Sequence, residues 1–88
     1  MKTIWKFEIE LRDDVVVAVP RGAEILSVQS QGGVVRAWYL VDPAQPKVVH
    51  HLKIKGAGQD CDDLDGYSHL DTVQQGAYAW HVFKRVGE

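Results

Sequence analysis

Apolar and polar residues alternate through most of this chain, and glycine, proline or acidic residues interrupt the alternation at short intervals. In residues 3–11 the apolar side chains fall on one face of an extended segment and the charged ones on the other, which is typical of a half-buried strand. The apolar face carries Trp5, Phe7, Ile9 and Leu11. Similar runs occupy residues 15–19, 25–31, 34–41, 47–55, 67–74 and 77–86. These segments predict an all-β fold, a small antiparallel sandwich or barrel of about six to seven strands.

Two glycines, Gly32 and Gly33, separate the segments 25–31 and 34–41. Because glycine adopts positive φ angles without steric cost, this pair favours a tight hairpin turn of type I′ or II′. We therefore expect residues 25–41 to form the central hairpin of the fold.

Two other segments carry specific expectations about their faces. Residues 15–19 are continuously apolar, so we expect this strand to be covered on both faces or to lie against a curved sheet. In residues 47–55 the alternation places His50 and His51 on opposite faces. Lys53 and Lys55 share the face of His51, which makes that face basic.

The length and composition indicate one domain over residues 1–88. A chain of 88 residues has room for one core, and a hydrophobic fraction of 45% with 25% charged residues is typical of an ordinary globular protein. The formal net charge of −2 gives no general attraction to phosphate backbones or anionic membranes.

The compartment is predicted from two features. The single cysteine, Cys61, cannot form an internal disulfide, which fits a reducing environment. Charges interrupt the apolar residues at the N-terminus, so no signal peptide is predicted, and no apolar run approaches the ~20 residues of a membrane helix. We expect a cytoplasmic protein that does not enter a membrane.

Several segments resemble a known family. They are Trp-Lys-Phe-Glu-Ile at residues 5–9, Pro-Arg-Gly-Ala-Glu-Ile-Leu at 20–26, Trp-Tyr-Leu-Val-Asp-Pro at 38–43, and His-Val-Phe at 81–83. Together they resemble short uncharacterised proteins, a domain of unknown function found widely in bacteriophage and prophage genomes. The resemblance covers nearly the whole chain and implies no activity, cofactor or catalytic residue. Where relatives tend to read Gly-Thr-Gly-His, this chain has Gly-Ala-Gly-Gln at residues 56–59, which favours a backbone turn over shared chemistry.

The residues that most resemble chemical sites do not have the required spacing. The acidic run at residues 60–65 lacks the ligand pattern of an EF-hand, since Leu64 and Asp65 stand where an oxygen ligand and a glycine are needed. His50 and His51 point to opposite faces and cannot join one zinc site without a bulge. No nucleophile elbow, Cys-His signature or P-loop is present. We therefore predict no metal, no cofactor and no enzymatic activity.

The remaining hypothesis is an accessory protein that acts through protein contacts, either with another protein or with a second copy of itself. Both faces of residues 34–41 are apolar, which is more than a thin core readily covers. We expect the contact at Tyr39 and Val41, provided that they are exposed, beside Lys53 and Lys55. An alternative is a nucleic-acid-binding accessory protein that uses the face of Lys53 and Lys55, although the neighbouring acidic run would repel phosphate.

Overall fold

The alternating segments form strands, and turn residues separate them. A computed structural model describes residues 1–88. Its strands are β1 (Thr3–Glu8), β2 (Asp14–Pro20), β3 (Glu24–Gln31), β4 (Val34–Val41), β5 (Lys47–Lys55), β6 (Tyr67–Gln75) and β7 (Tyr78–Arg85). The predicted all-β class is confirmed, and the predicted bounds of β4 and β5 coincide with the observed ones.

The strands form two antiparallel sheets that pack as a sandwich. The three-stranded sheet has the order β1-β4-β3, and the four-stranded sheet has the order β2-β5-β7-β6. Every strand pair is antiparallel. Of the two predicted architectures, the sandwich is therefore the one observed.

The predicted hairpin of β3 and β4 is confirmed, but its predicted central place is wrong, because β3 is an edge strand of the three-stranded sheet. Gly32 and Gly33 have φ angles of 60° and 81°, and positive φ at both central positions is the pattern of a type I′ turn. The turn brings Gln31 opposite Val34 and sets the register of β3 against β4.

The core lies between the inner faces of the two sheets. Its fourteen buried side chains are Ile9, Val15, Val17, Val19, Ala23, Val28, Val35, Ala37, Tyr39, Val41, Leu52, Ile54, Val73 and Val82. Most are β-branched or small, so the aromatic ring of Tyr39 is the bulkiest fully buried group. Burial of such side chains drives folding by about 1.5–3 kcal/mol for each large aliphatic or aromatic group.

The expectation of two covered faces is wrong for β2. Val15, Val17 and Val19 are buried, but Val16 is 60% exposed. The reason is that the sandwich has only two layers, so nothing covers the outer face of the four-stranded sheet, and Val49 on the neighbouring strand β5 is also 48% exposed. Only the face that points to the core is covered.

The first strand is shorter than predicted. Beyond Glu8 the chain leaves the ladder, although the N–H of Ile9 still donates to the carbonyl of Val35 at 2.9 Å and the Ile9 side chain enters the core. A turn then forms between Glu10 and Arg12. Leu11 lies within this turn and not in the strand, so its side chain is exposed. The prediction that it shares the apolar face is therefore wrong.

Side chains of β6 join the two sheets along the side where β3 and β6 meet, and besides Asp71 the amide of Gln75 donates to the carbonyl of Gly33 at 2.8 Å. Asp71 Oδ2 accepts the N–H of Val28 at 2.9 Å, across 43 residues of sequence. Each strand has an irregular register near this contact, between Ile25 and Ser27 in β3 and between His69 and Asp71 in β6. The bulges free backbone groups that a side chain must then satisfy.

Candidate interaction surface

Tyr39 and Val41 lie inside the sandwich, so the condition for a contact at these two residues, their exposure, is not met. Both are fully buried, because the odd-numbered residues of β4 face the core while Trp38 and Leu40 face outward. The Tyr39 ring packs edge-on against Phe7 at 5.5 Å and lies 5.7 Å from the ring of His50. Burial, together with the charge of Glu88, raises the pKa of the Tyr39 hydroxyl to about 12.

The two predicted lysines lie side by side on the outer face of β5 and are both engaged by aspartates. Lys53 Nζ lies 2.5 Å from Asp14 Oδ1 and 3.1 Å from Asp63 Oδ2. Lys55 Nζ lies 2.6 Å from Asp13 Oδ1 and 3.0 Å from Asp63 Oδ1. The acidic loop therefore folds back over the basic face of β5, and Lys55 is buried beneath it.

These contacts shift the pKa values of Lys53, Lys55 and Asp63 in the directions that favour their charged forms. Hydrogen bonds from Lys55 and Lys53 hold the pKa of Asp63 below its ordinary value of 3.8. Hydrogen bonds to Asp14 and Asp63 raise the pKa of Lys53, and those to Asp13 and Asp63 raise the pKa of Lys55. Two cations thus meet three anions, so both lysines on which the nucleic-acid alternative depends are already paired with carboxylates. The arrangement gives no support to the nucleic-acid alternative.

The adjacent histidines of β5 point to opposite faces, as predicted. His50 faces the core, and burial, with the nearby charge of Lys84, lowers its pKa. His51 faces outward, where its N–H and its Nδ1 contact the carboxylate of Glu88 at 2.6 and 2.5 Å. The carboxylate holds the last residues of the chain against β5.

The other two histidines meet on the outer face of the four-stranded sheet, which the sequence did not predict. The Thr72 hydroxyl lies 3.0 Å from His69 Nε2 and 3.0 Å from His81 Nδ1. A hydroxyl can donate to one imidazole and accept from the other, so the three groups form a hydrogen-bonded cluster. No group of three or more histidine, cysteine, aspartate or glutamate side chains is arranged to hold a metal ion.

The largest exposed apolar residues of the three-stranded sheet gather on its outer face. Ile4 is 57% exposed and lies directly opposite Leu40, while Leu26 is 50% exposed and borders a groove of about 390 Å³ with Ile4 and Trp38. We call Ile4, Leu26, Trp38 and Leu40 the three-stranded face. Ile25 lies opposite the buried Tyr39, so alternation turns Leu26 outward onto this face, where it is the extra residue of the bulge between Ile25 and Ser27.

Charged residues of both signs surround this apolar patch. Lys6 lies opposite Trp38, and Glu24 lies opposite Leu40 at the other edge. At the far end Arg36 approaches Glu8 to 3.8 Å. The rim thus holds two positive and two negative side chains around an uncharged centre.

The sequence shows the apolar residues of this face but does not show that they point to solvent. Both parities of residues 34–41 are apolar, so alternation alone could not show which set faces the core. The bulge at Leu26 depends on pairing with β4 and has no local sequence signature.

Comparison with known proteins identifies the family. No curated protein and no solved structure matches the chain. No helix of the structure has the length and apolar character required to span a membrane. A family model described as a domain of unknown function, DUF7352, matches residues 1–88, and the chain therefore belongs to the DUF7352 family.

Proposed function

We propose that this protein is a small non-enzymatic β domain that works through protein contact, and that its three-stranded face binds a second copy of the chain. The observation that carries the proposal is the exposure of Ile4 and Leu26 beside Trp38. Large apolar side chains gathered in one exposed patch with a polar rim are typical of interaction sites.

The charge pattern supports self-association over a partner of one charge sign. A two-fold interface places the same surface on both protomers, so each charge on one copy must meet an opposite or neutral group on the other. The rim of Lys6, Arg36, Glu8 and Glu24 is balanced in sign and can meet this requirement. A strongly acidic or basic partner would not be electrostatically complementary to this balanced rim.

The size of the face indicates weak binding. Three strands of up to eight residues span roughly 14 Å by 26 Å. That area is smaller than the ~800 Å² that each partner buries in a standard interface. We therefore expect a reversible dimer with a dissociation constant in the micromolar range or above.

The biological setting belongs to the same proposal. The resemblance of residues 5–9, 20–26 and 38–43 to phage and prophage proteins supports a phage or prophage accessory role. The single cysteine, Cys61, is exposed and unpaired, which supports a reducing cytoplasm.

Sedimentation velocity across a concentration series tests the self-association. The wild type should shift from monomer to dimer as its concentration rises, and Leu26→Glu should remain monomeric because it places a charge within the apolar patch. Val16→Glu is the matched control, since Val16 is 60% exposed on the opposite sheet. A wild type that stays monomeric at millimolar concentration, or equal dimerisation of both variants, would contradict the proposal.

A further inference from the structure

The largest cavity of the molecule is a groove at one end of the sandwich, away from the three-stranded face. It has a volume of about 450 Å³, within the ~300–1,000 Å³ of typical ligand sites. Its lining residues are Gly56, Ala57, Gln59, Ala77, Tyr78, Ala79 and Trp80. None of them is charged, and four are glycine or alanine.

The groove lies along a strand edge that has lost its neighbour. Strand β5 pairs with β7 only as far as Lys55 opposite His81, and the chain then turns away through residues 56–59. Strand β6 stays paired with β7 as far as Gln75 opposite Tyr78. Residues 78–80 therefore have a strand neighbour on the β6 side alone, and the groove occupies the side where β5 would have continued.

An aromatic platform stands at this edge. The ring of Tyr78 is stacked on that of Trp80, with centroids 5.8 Å apart and planes 21° apart, and Tyr78 is 67% exposed. Gly56 supports the platform from the other wall, because a Cβ at this position would lie 3.1 Å from Cζ3 of Trp80. The glycine lets the loop lie close to the indole, which holds Trp80 beneath the exposed tyrosine.

We propose that this groove binds an extended, uncharged peptide segment of a partner protein, which adds as a strand to β7 and stacks an aromatic side chain on Tyr78. Gln75 pairs with Tyr78 across a two-residue turn, so the N–H and C=O of Tyr78 and Trp80 point to β6 and those of Ala79 point to the groove. There they can pair with an extended main chain, as in strand addition to other sheets. The exposed ring of Tyr78 selects a planar side chain. The uncharged lining selects against phosphates and charged peptides, which would be desolvated without a partner.

Nuclear magnetic resonance of the ¹⁵N-labelled protein tests this binding. The probes are three acetylated and amidated peptides, Thr-Gln-Thr-X-Thr-Gln-Thr, in which X is tyrosine, alanine or glutamate. The tyrosine peptide should shift the amide signals of residues 56–59 and 78–80. It should bind about two- to twelvefold more tightly than the alanine peptide, because an aromatic pair contributes ~0.5–1.5 kcal/mol. The glutamate peptide should bind most weakly.

Two variants keep the result specific. Tyr78→Ala should reduce the affinity for the tyrosine peptide to that for the alanine peptide, while Val86→Ala should not change it. Val86 is the matched control, since it is also 67% exposed and follows the same strand. The amide spectrum of each variant shows directly that it is folded.

Two results would overturn the inference. One is the absence of shifts with all three peptides at millimolar concentration, and the other is a set of shifts centred on Ile4 and Leu26 instead. Sedimentation of the same samples keeps the failure of this inference distinct from a failure of the dimer proposal. Tyr78→Ala should weaken binding of the tyrosine peptide and leave self-association unchanged.

Discussion

The hydroxyl of Tyr39 is buried in the core and has no protein group within hydrogen-bonding distance. A buried polar group without a partner costs about 1–3 kcal/mol of stability. Tyr39→Phe removes the hydroxyl and keeps the ring contact with Phe7, so it should raise the free energy of unfolding by about 1 kcal/mol. Urea unfolding monitored by tryptophan fluorescence measures the change.

Tyr67→Phe is the control for this prediction. Tyr67 is half-buried at the start of β6, where its ring lies under Lys53 at 5.3 Å. The ring remains in the phenylalanine variant, so its stability should match the wild type within about 0.5 kcal/mol. A Tyr39→Phe variant less stable than the wild type would show that the hydroxyl is hydrogen-bonded in solution.

A second residue-scale prediction concerns acid. The pKa of Asp63 is held below its ordinary value by Lys55 and Lys53, so its ionised form stabilises the folded state. A lowered folded-state pKa contributes stability above the unfolded value, near pH 4, which is lost as the pH falls through the folded value. Wild type should therefore exceed Asp63→Asn in stability at pH 7, and the gap should narrow below about pH 4.

Urea unfolding at pH 7, 5, 4 and 3 follows this gap. Asp65→Asn is the control, because Asp65 lies in the same loop and makes no ion pair. A gap that stays constant down to pH 3 would argue against a stabilising role for the ionised Asp63 carboxylate.

At the scale of elements, the Asp71 carboxylate accepts a hydrogen bond that connects β3 to β6. Val28 is fully buried, and its N–H has the Asp71 carboxylate as its side-chain acceptor. Asp71→Ala leaves this N–H without its acceptor and should lower the free energy of unfolding by about 1–3 kcal/mol. Asp62→Ala, in an exposed loop, should change it by less than about 0.5 kcal/mol. Equal effects in chemical denaturation would contradict this role of Asp71.

The local sequence pattern was enough to predict that each strand exists and roughly where it lies. Gly32 and Gly33 mark the hairpin because their positive φ angles are a local requirement, and Gly56 marks the end of β5. The pattern failed where pairing decides the outcome. Leu11 continues the alternation of β1 but lies in the turn between Glu10 and Arg12, and Val16 is β-branched like its buried neighbours but lies on the uncovered outer face of its sheet.

The candidate surface was harder to predict than the fold, because it depends on contacts between distant segments. The basic face of Lys53 and Lys55 is visible in the sequence, but its neutralisation requires Asp13, Asp14 and Asp63 to meet there. Local spacing contains no information about such a meeting. For the same reason, the aspartate that accepts the N–H of Val28 was not predicted.

At the scale of the whole molecule, self-association and stability are linked. A dimer that forms only from folded chains stabilises the folded state by mass action, so its thermal midpoint depends on protein concentration. Above the dissociation constant, each tenfold rise in concentration should contribute ~0.7 kcal/mol per protomer, which raises the midpoint of a domain of this size by roughly 3–6 °C. Leu26→Glu should show a midpoint independent of concentration, whereas Val16→Glu should follow the wild type. Scanning calorimetry from micromolar to millimolar protein measures all three, and a wild-type midpoint that does not move would exclude a dimer of folded chains in this range.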